Sequence, residues 1–179
     1  MRNLRLKRLW LLCAAMLICF AAVYITLNAA DRANIVSGGV NDAEVRSRLL
    51  MEAMDYVGVC DATDAAGVWA SGLKQRSAAL QYSVMDAVLK AEYAKQLETA
   101  APNWVTGMSS PWVKSYSIID IQTPDENTSI IRIVFSTATS TGVAGDYEAV
   151  LTLTRQEPFW RITGIDADEG LYPYTRLEM

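Results

Sequence analysis

The sequence predicts an α+β fold, in which an N-terminal transmembrane helix is followed by helices packed on a four-stranded antiparallel sheet. Three observations predict it. A charge-free apolar run stands near the N-terminus, segments with helical spacing follow it, and segments that alternate with a period of two fill the C-terminal half. Helices that precede the strands, rather than alternate with them, are typical of α+β domains with the helices on one face of the sheet.

The apolar run extends from Leu9 to Leu27 and contains no charged residue. As a helix it spans roughly 28 Å, close to the ~30 Å hydrocarbon core of a bilayer. Four basic residues precede it: Arg2, Arg5, Lys7 and Arg8. Because the basic flank of a membrane span stays in the cytoplasm, we expect a single-pass protein of the cell membrane with its C-terminal domain outside the cytoplasm.

This interpretation divides the chain into four parts. Residues 1–8 are a cytoplasmic stub, 9–27 the anchor, 28–41 a linker and 42–179 the extracytoplasmic domain. A cleaved secretory signal is the alternative, but cuts after Ala30 or Ala29 place Asn28 or Leu27 at the third position back, where a small residue is needed. The pattern therefore favours an uncleaved anchor.

The charge is unevenly distributed along the chain. Residues 31–179 carry 12 basic and 20 acidic side chains, a net charge of −8. Such a surface repels nucleic acid and anionic lipid, so we expect neither as a ligand.

Cys60 is the only cysteine outside the predicted anchor. We expect it to be a buried, inert thiol, and the alternative is a disulfide with another chain.

Capping residues and apolar spacing predict the helices. Asn41 begins the first, whose apolar stripe consists of Val45, Leu49, Ala53 and Val57, and Gly58 ends it. Asp61, Thr63 and Asp64 offer caps for a second helix, in which Gly72 indicates the close approach of another element. One or two further helical turns follow this helix and contain Tyr82. Asp86 then caps a helix with Leu89, Tyr93 and Leu97 on one face.

Alternation predicts four strands over residues 113–123, 130–140, 147–155 and 159–167. The segments "PDENTS", "TGVAGD" and "QEP" between them read as turns. Such short connections predict an antiparallel meander.

The segment "NWVTGMSSPWVKSYSI" connects the last helix to the first strand and contains Trp104, Gly107 and Trp112. Two hypotheses compete for it: the rings plug the core, or they form a semi-rigid aromatic binding surface. We expect Trp112 to be the buried plug and Trp104 to be the more exposed ring. Gly107 can supply a positive φ.

The sequence contains no histidine, which removes the commonest general base and most catalytic zinc sites. Ser71 and Lys74 match S-x-x-K, but the partner motifs S-D-N and K-T-G are absent from the sequence. Carboxylates in or near the predicted sheet could act as bases, although solvated surface charges are the simpler interpretation: Asp146, Glu148, Asp166 and Asp168. We expect no catalytic set, no metal and no cofactor.

Three phrases together, "VWASGLKQRSAALQYSVM", "NWVTGMSSPWV" and "STATSTG", resemble small extracytoplasmic bacterial domains of the nuclear-transport-factor-2-like (cystatin-like) superfamily. The resemblance covers roughly residues 62–167. Similar modules occur on single-span membrane proteins and at the outer end of beta-lactam-sensor-like membrane peptidases. The resemblance implies a cone, made of a curved sheet wrapped over helices, with a pocket at its open end. Enzymes of that superfamily use Asp, Tyr or His in the cone, so the absence of histidine excludes the His–Asp variant and leaves an Asp/Tyr variant open.

We therefore expect a non-catalytic, membrane-tethered domain that binds an envelope protein or ligand. The candidate binding residues are Trp104, Gly107, Trp112, Tyr82 and Tyr147. The alternatives are a structural subunit of an envelope or secretion assembly, and an acid–base enzyme that uses Asp and Tyr in the cone.

Overall fold

A computed structural model of the protein describes residues 44–178. The predicted cytoplasmic stub, anchor and linker lie outside these residues. Among the residues described, no helix combines the length and apolar character that a membrane span requires.

Five helices and four strands make up the described chain. Residues 44–56 form the helical segment α1. The remaining helices are α2 (Ala62–Gln75), α3 (Ala78–Ser83), α4 (Ala87–Ala100) and α5 (Tyr172–Thr175). The strands are β1 (Trp112–Asp125), β2 (Thr128–Thr139), β3 (Gly142–Gln156) and β4 (Phe159–Ala167). The predicted order of helices before strands is confirmed.

Two of the predicted capping residues, Asp61 and Asp86, begin their helices, and Asn41 lies outside the described residues. The Asp61 carboxylate accepts hydrogen bonds from the backbone N–H groups of Thr63 (2.8 Å) and Asp64 (3.0 Å) at the start of α2. Asp86 accepts one from Leu89 (2.8 Å) at the start of α4. Each cap satisfies backbone donors that the first helical turn leaves unpaired.

The sheet is a four-stranded antiparallel meander in the order β1-β2-β3-β4, as predicted. The predicted turn "TGVAGD" is wrong, because β3 begins within it at Gly142, which pairs with Thr139 of β2. Gly142 has a φ of 145°, a conformation that glycine adopts without steric cost and that permits so tight a reversal.

The core lies between the helices and one face of the sheet. Fully buried side chains from β2 and β3 face those of α2 and α4: Ile131, Ile133, Phe135, Leu151, Leu153, Trp69, Leu73, Tyr93 and Leu97. The rings of Trp69 and Phe135 meet edge to face, with centroids 5.9 Å apart. Burying each large apolar side chain contributes about 1.5–3 kcal/mol.

Gly72 allows α2 and α3 to approach closely, as predicted. A Cβ at this position would lie 2.6 Å from Cγ and 2.9 Å from the backbone nitrogen of Gln81. Any side chain at Gly72 would therefore push α3 away.

The two edges of the sheet differ. The β4 edge is partly covered, since Val59 bridges to Trp160 and Met85 to Ile162. The β1 edge contains three register shifts, which twist an edge strand and discourage pairing with another chain. This shape argues against strand addition as the binding mode.

The C-terminal segment forms structure that the sequence patterns did not predict. A 3₁₀ turn (Glu169–Leu171) leads into α5, and Leu171, Tyr174 and Leu177 are buried. The Tyr93 hydroxyl donates a 2.7 Å hydrogen bond to the Thr175 carbonyl, which fastens this segment to α4.

Two predictions about the N-terminal part of the domain need correction or qualification. Cys60 is exposed rather than buried, because its neighbour Val59 bridges to Trp160 and the alternating backbone directs Cys60 outward. The predicted apolar stripe faces solvent: Val45 and Leu49 on α1 are exposed, and Val57 is exposed just beyond the end of α1.

Candidate functional site

The connection between α4 and β1, residues 102–111 and here called the tryptophan loop, is held against the turn between α2 and α3. The Ala78 N–H donates to the Trp104 carbonyl (3.0 Å), and the Thr106 N–H donates to the Arg76 carbonyl (3.1 Å). Val105 forms a bridge with Ser77 between these two bonds. The loop therefore has a backbone partner of its own, like a short strand.

Two arginine side chains fix the same loop. The Arg76 guanidinium donates to the carbonyls of Gly107 (3.3 Å) and Ser109 (2.7 Å). From the C-terminal segment, Arg176 Nε donates to the Thr106 carbonyl (3.1 Å). The planar guanidinium presents several donors in a rigid fork, so each arginine limits the movement of the backbone that it contacts.

Left-handed backbone conformations are concentrated at this site. Among the non-glycine residues described, positive φ angles occur at Arg76 (59°), Trp104 (61°) and Arg176 (60°). The two arginines end α2 and α5. Trp104 lies in the loop itself, and such a conformation costs a bulky residue of order 1–3 kcal/mol. Strain of this kind persists where surrounding contacts enforce it, and often accompanies a binding site.

The fixed loop presents apolar side chains to solvent. Met108 is 86% exposed and Val105 is 41% exposed. At the end of the loop, Ser110 Oγ accepts a hydrogen bond from the Ser140 N–H of the β2–β3 turn (3.3 Å). Next to that turn, at the start of β3, Val143 is a further exposed apolar residue.

The ring predicted to fill the core, that of Trp112, does not belong to it. Trp104 and Trp112 are both half-buried, whereas the fully buried tryptophan is Trp69. Trp112 begins β1 opposite Ala138. The expectation that Trp112 is a buried plug is therefore wrong, because a position at the end of an edge strand leaves part of the ring open to solvent.

The other predicted site residues lie in two different places. Tyr82 is buried beneath the tryptophan loop, with its ring centroid 5.1 Å from that of Trp104. Gly107 does not supply the positive φ, which Trp104 adopts instead. Tyr147 lies on β3 opposite Phe135 and packs against Gly170, where a Cβ would overlap its ring. The structure thus brings Trp104 and Tyr82 into contact, whereas Gly107 lies further along the same loop, beside Arg76.

Tyr82 also lines a cleft of about 840 Å³ between α4 and the β3–β4 turn. Lys90 places its ammonium 5.0 Å from the Tyr82 ring centroid and forms an ion pair with Asp55. Burial raises the pKa of Tyr82, and the Asp55 carboxylate raises it further. Arg161 completes the charged part of the cleft.

The sequence patterns did not indicate Asp55, Lys90 or Arg161 as site residues. One signal was available: Lys90 stands three positions before Tyr93 and seven before Leu97, on the buried face of α4. A lysine on the apolar face of a helix is buried on folding, so its charge needs a compensating group in the folded protein.

The remaining sequence motifs form ordinary contacts. The Ser71 hydroxyl lies 2.9 Å from the Tyr116 hydroxyl, and Lys74 is exposed. Asp146, Glu148, Asp166 and Asp168 are exposed as well. Within residues 44–178, no group of three or more cysteine or carboxylate side chains is placed to hold a metal ion.

No protein-family model and no curated protein matches the sequence. A solved NTF-2-like protein of unknown function from Shewanella oneidensis MR-1 is 7% identical over 59% of this chain and 93% of that chain, with a TM-score of 0.42. The intermembrane space region of the chloroplast protein ARC6 is 10% identical over 59% of this chain and 92% of that chain, with a TM-score of 0.42. A protein of unknown function with a cystatin-like fold from Nostoc punctiforme is 12% identical over 60% of this chain and 88% of that chain, with a TM-score of 0.41. Membership of the superfamily stays a prediction.

Proposed function

We propose that the protein is a non-catalytic, membrane-tethered domain outside the cytoplasm that binds a partner protein of the cell envelope through the tryptophan loop. The predicted anchor at residues 9–27 and the basic residues before it support the location. The geometry of the loop supports the binding role.

The observation that carries the proposal is an exposed apolar side chain on a fixed backbone. Met108 is 86% exposed, although the carbonyls on both sides of it, those of Gly107 and Ser109, accept hydrogen bonds from Arg76. Water contact with such a side chain is unfavourable, and a partner that covers it gains the burial energy. Because the loop is already ordered, binding costs less conformational entropy than it would in a mobile segment.

The chemistry of the loop indicates an apolar pocket on the partner. Methionine is flexible and polarizable, and it adapts to the shape of the surface that receives it. The half-buried Trp104 ring lies at the base of the same loop and is held by Tyr82. Aromatic residues that are partly covered before binding are common centres of interface energy.

Photo-cross-linking in cells tests the proposal. A photoreactive amino acid at Met108 should give a discrete cross-linked product with a single envelope protein. The matched control is Glu126, an exposed residue in the β1–β2 turn at the other end of the sheet. Equal products from both positions, or none from Met108, would contradict a docking role for the loop.

A structural subunit of an envelope assembly is the second candidate, favoured by α1. Val45, Leu49 and Ala53 lie four residues apart on α1 and are exposed. A stripe at this spacing can pack against another helix. In that case a photoreactive group at Leu49 would give a cross-linked oligomer of constant stoichiometry, whereas Met108 would give none.

An Asp/Tyr enzyme has less support from the geometry. A carboxylate buried beside Tyr82 or Tyr147 would favour it, but the carboxylate near Tyr82 belongs to Asp55, whose side chain is 54% exposed. Asp55 is also engaged in an ion pair with Lys90.

A further inference from the structure

The cleft beside Tyr82 contains two buried cations. Lys90 and Arg161 are each only 6% exposed, and both line the cleft. Removing a charged side chain from water costs several kcal/mol unless partners compensate for the lost hydration. The nature of those partners therefore indicates what the cleft is able to accept.

Arg161 is compensated by neutral groups. Its guanidinium donates to the backbone carbonyls of Ser83 (2.6 Å), Asp55 (3.1 Å) and Val57 (3.1 Å). Burial lowers the pKa of Arg161, and only the Asp55 carboxylate acts in the opposite direction. The cation is held in place without a carboxylate bonded to it among the described residues.

Lys90 is compensated by one carboxylate that is mostly in solvent. Its ammonium contacts Asp55 and the face of the Tyr82 ring. The Asp55 side chain is 54% exposed, and it projects from the end of α1. An ion pair with an exposed partner is worth little, because water competes for the carboxylate.

The other acidic residues of the cleft are engaged elsewhere. Asp86 accepts the capping hydrogen bond from Leu89, and Glu157 forms an ion pair with Arg155 outside the cleft lining. Among the described residues, Lys90 thus has a single carboxylate partner, that of Asp55, and Arg161 is bonded only to backbone carbonyls. The walls between them are apolar and aromatic, formed by Tyr82, Met85 and Phe159.

We propose that the cleft binds a small organic carboxylate with an apolar body, whose carboxylate replaces that of Asp55 on Lys90 while its body packs on Tyr82 and Phe159. Asp55 already shows that a carboxylate fits against Lys90. A cleft of about 840 Å³ is within the range of small-molecule sites. A ligand carboxylate inside the cleft is less hydrated than that of Asp55 and therefore attracts the ammonium more strongly. This site adjoins the tryptophan loop and shares Tyr82 with it, but its ligand and its cations are different.

The test uses three probes of one shape: 4-phenylbutyrate, 4-phenylbutylamine and 4-phenylbutan-1-ol. The full chain, with isotope-labelled methionine methyl groups, is titrated in lipid nanodiscs by NMR. We expect the carboxylate to shift the Met85 methyl signal saturably and to leave that of the exposed Met108 unchanged. The amine and the alcohol should bind at least tenfold more weakly.

Two substitutions with opposite effects complete the test. Lys90→Gln should weaken 4-phenylbutyrate binding at least tenfold, whereas Lys95→Gln, on the exposed side of the same helix, should leave it unchanged. Asp55→Asn should strengthen binding several-fold, because the competing carboxylate is removed. Equal binding of the three probes, an unchanged Kd in Lys90→Gln or weaker binding to Asp55→Asn would overturn the proposal. Since Asp55 is exposed, its variant keeps the test valid even if Lys90→Gln fails to fold.

Discussion

The ring of Trp104 lies on the ring of Tyr82, with the centroids 5.1 Å apart and the planes inclined at 55°. Lys90 lies over the same Tyr82 ring, at 5.0 Å from its centroid. Tyr82 therefore takes part in both candidate sites, the tryptophan loop and the cleft. The contact holds the Trp104 side chain in place although its backbone adopts a left-handed conformation.

The left-handed backbone of Trp104 predicts that glycine at this position is more stable than alanine. Trp104→Ala should lose about 1–2 kcal/mol of unfolding free energy, because the contact with Tyr82 disappears while the φ of 61° remains unfavourable. Trp104→Gly should be more stable than Trp104→Ala by about 1 kcal/mol, because glycine adopts positive φ without the steric cost. Urea denaturation of both variants measures the difference.

Val105 supplies the matched control for this comparison. It has no positive φ and is bridged to Ser77, so Val105→Gly should be less stable than Val105→Ala by about 0.5–1 kcal/mol. The same order of glycine and alanine at both positions would show that Trp104 is not strained.

The elements of the fold were largely predictable because their signals are local. Asp61 and Asp86 are capping residues next to apolar spacing, and the strands alternate. The β2–β3 turn was misjudged because glycines such as Gly142 and Gly145 are typical of turns, yet both belong to β3. The C-terminal segment was missed because its burial depends on distant partners such as Tyr93.

For the tryptophan loop, the sequence predicted the location but not the contacts that hold it. The tryptophans marked the correct loop, but its rigidity comes from arginines that are distant in sequence. Arg76 contacts Gly107 across 31 positions, and Arg176 contacts Thr106 across 70. The cleft was missed for the same reason, because Asp55, Lys90 and Arg161 belong to three separate elements.

The buried Tyr93 predicts a loss of stability in alkali. Burial raises its pKa above the ordinary value of about 10, so the unfolded chain loses this proton first. Its stabilising contribution is complete below pH 10, and each pH unit above that removes about 1.4 kcal/mol. Tyr93→Phe should cost about 1 kcal/mol at pH 8, where the hydrogen bond to Thr175 is lost, and the difference from the wild type should vanish near pH 11.

Urea denaturation at pH 8 and pH 11 measures this effect. Tyr56→Phe is the control, since Tyr56 is 84% exposed and its substitution should leave the wild-type profile unchanged. If the difference in unfolding free energy between the wild type and Tyr93→Phe were the same at both pH values, the raised pKa of Tyr93 would be contradicted.

Cys60 should be dispensable for folding. Because it is exposed and no other cysteine lies within residues 44–178, Cys60→Ser breaks no internal bridge in this region. The unfolding free energy should change by less than about 0.5 kcal/mol. A covalent dimer on non-reducing gels that is absent from Cys60→Ser would instead establish an intermolecular disulfide.

The predicted anchor determines the expected topology. A reporter enzyme that is active only outside the cytoplasm, fused after Met179, should be active and should remain with the membrane fraction. The matched fusion after Arg8 should be inactive. Release of the domain with a new N-terminus near Asp31 would show that residues 9–27 are a cleaved signal.

The most direct test of the proposed binding role is quantitative recovery of an envelope protein that cross-links at Met108. Met108→Ser removes an 86% exposed apolar side chain and should change stability by less than about 0.5 kcal/mol. Recovery of the partner with the full chain should nevertheless fall tenfold or more, as expected for a central contact residue. The control variant Ile121→Ser, at an exposed position on β1, should recover the partner as the wild type does. Undiminished recovery with Met108→Ser, in a chain that melts normally, would contradict the proposed role of the tryptophan loop.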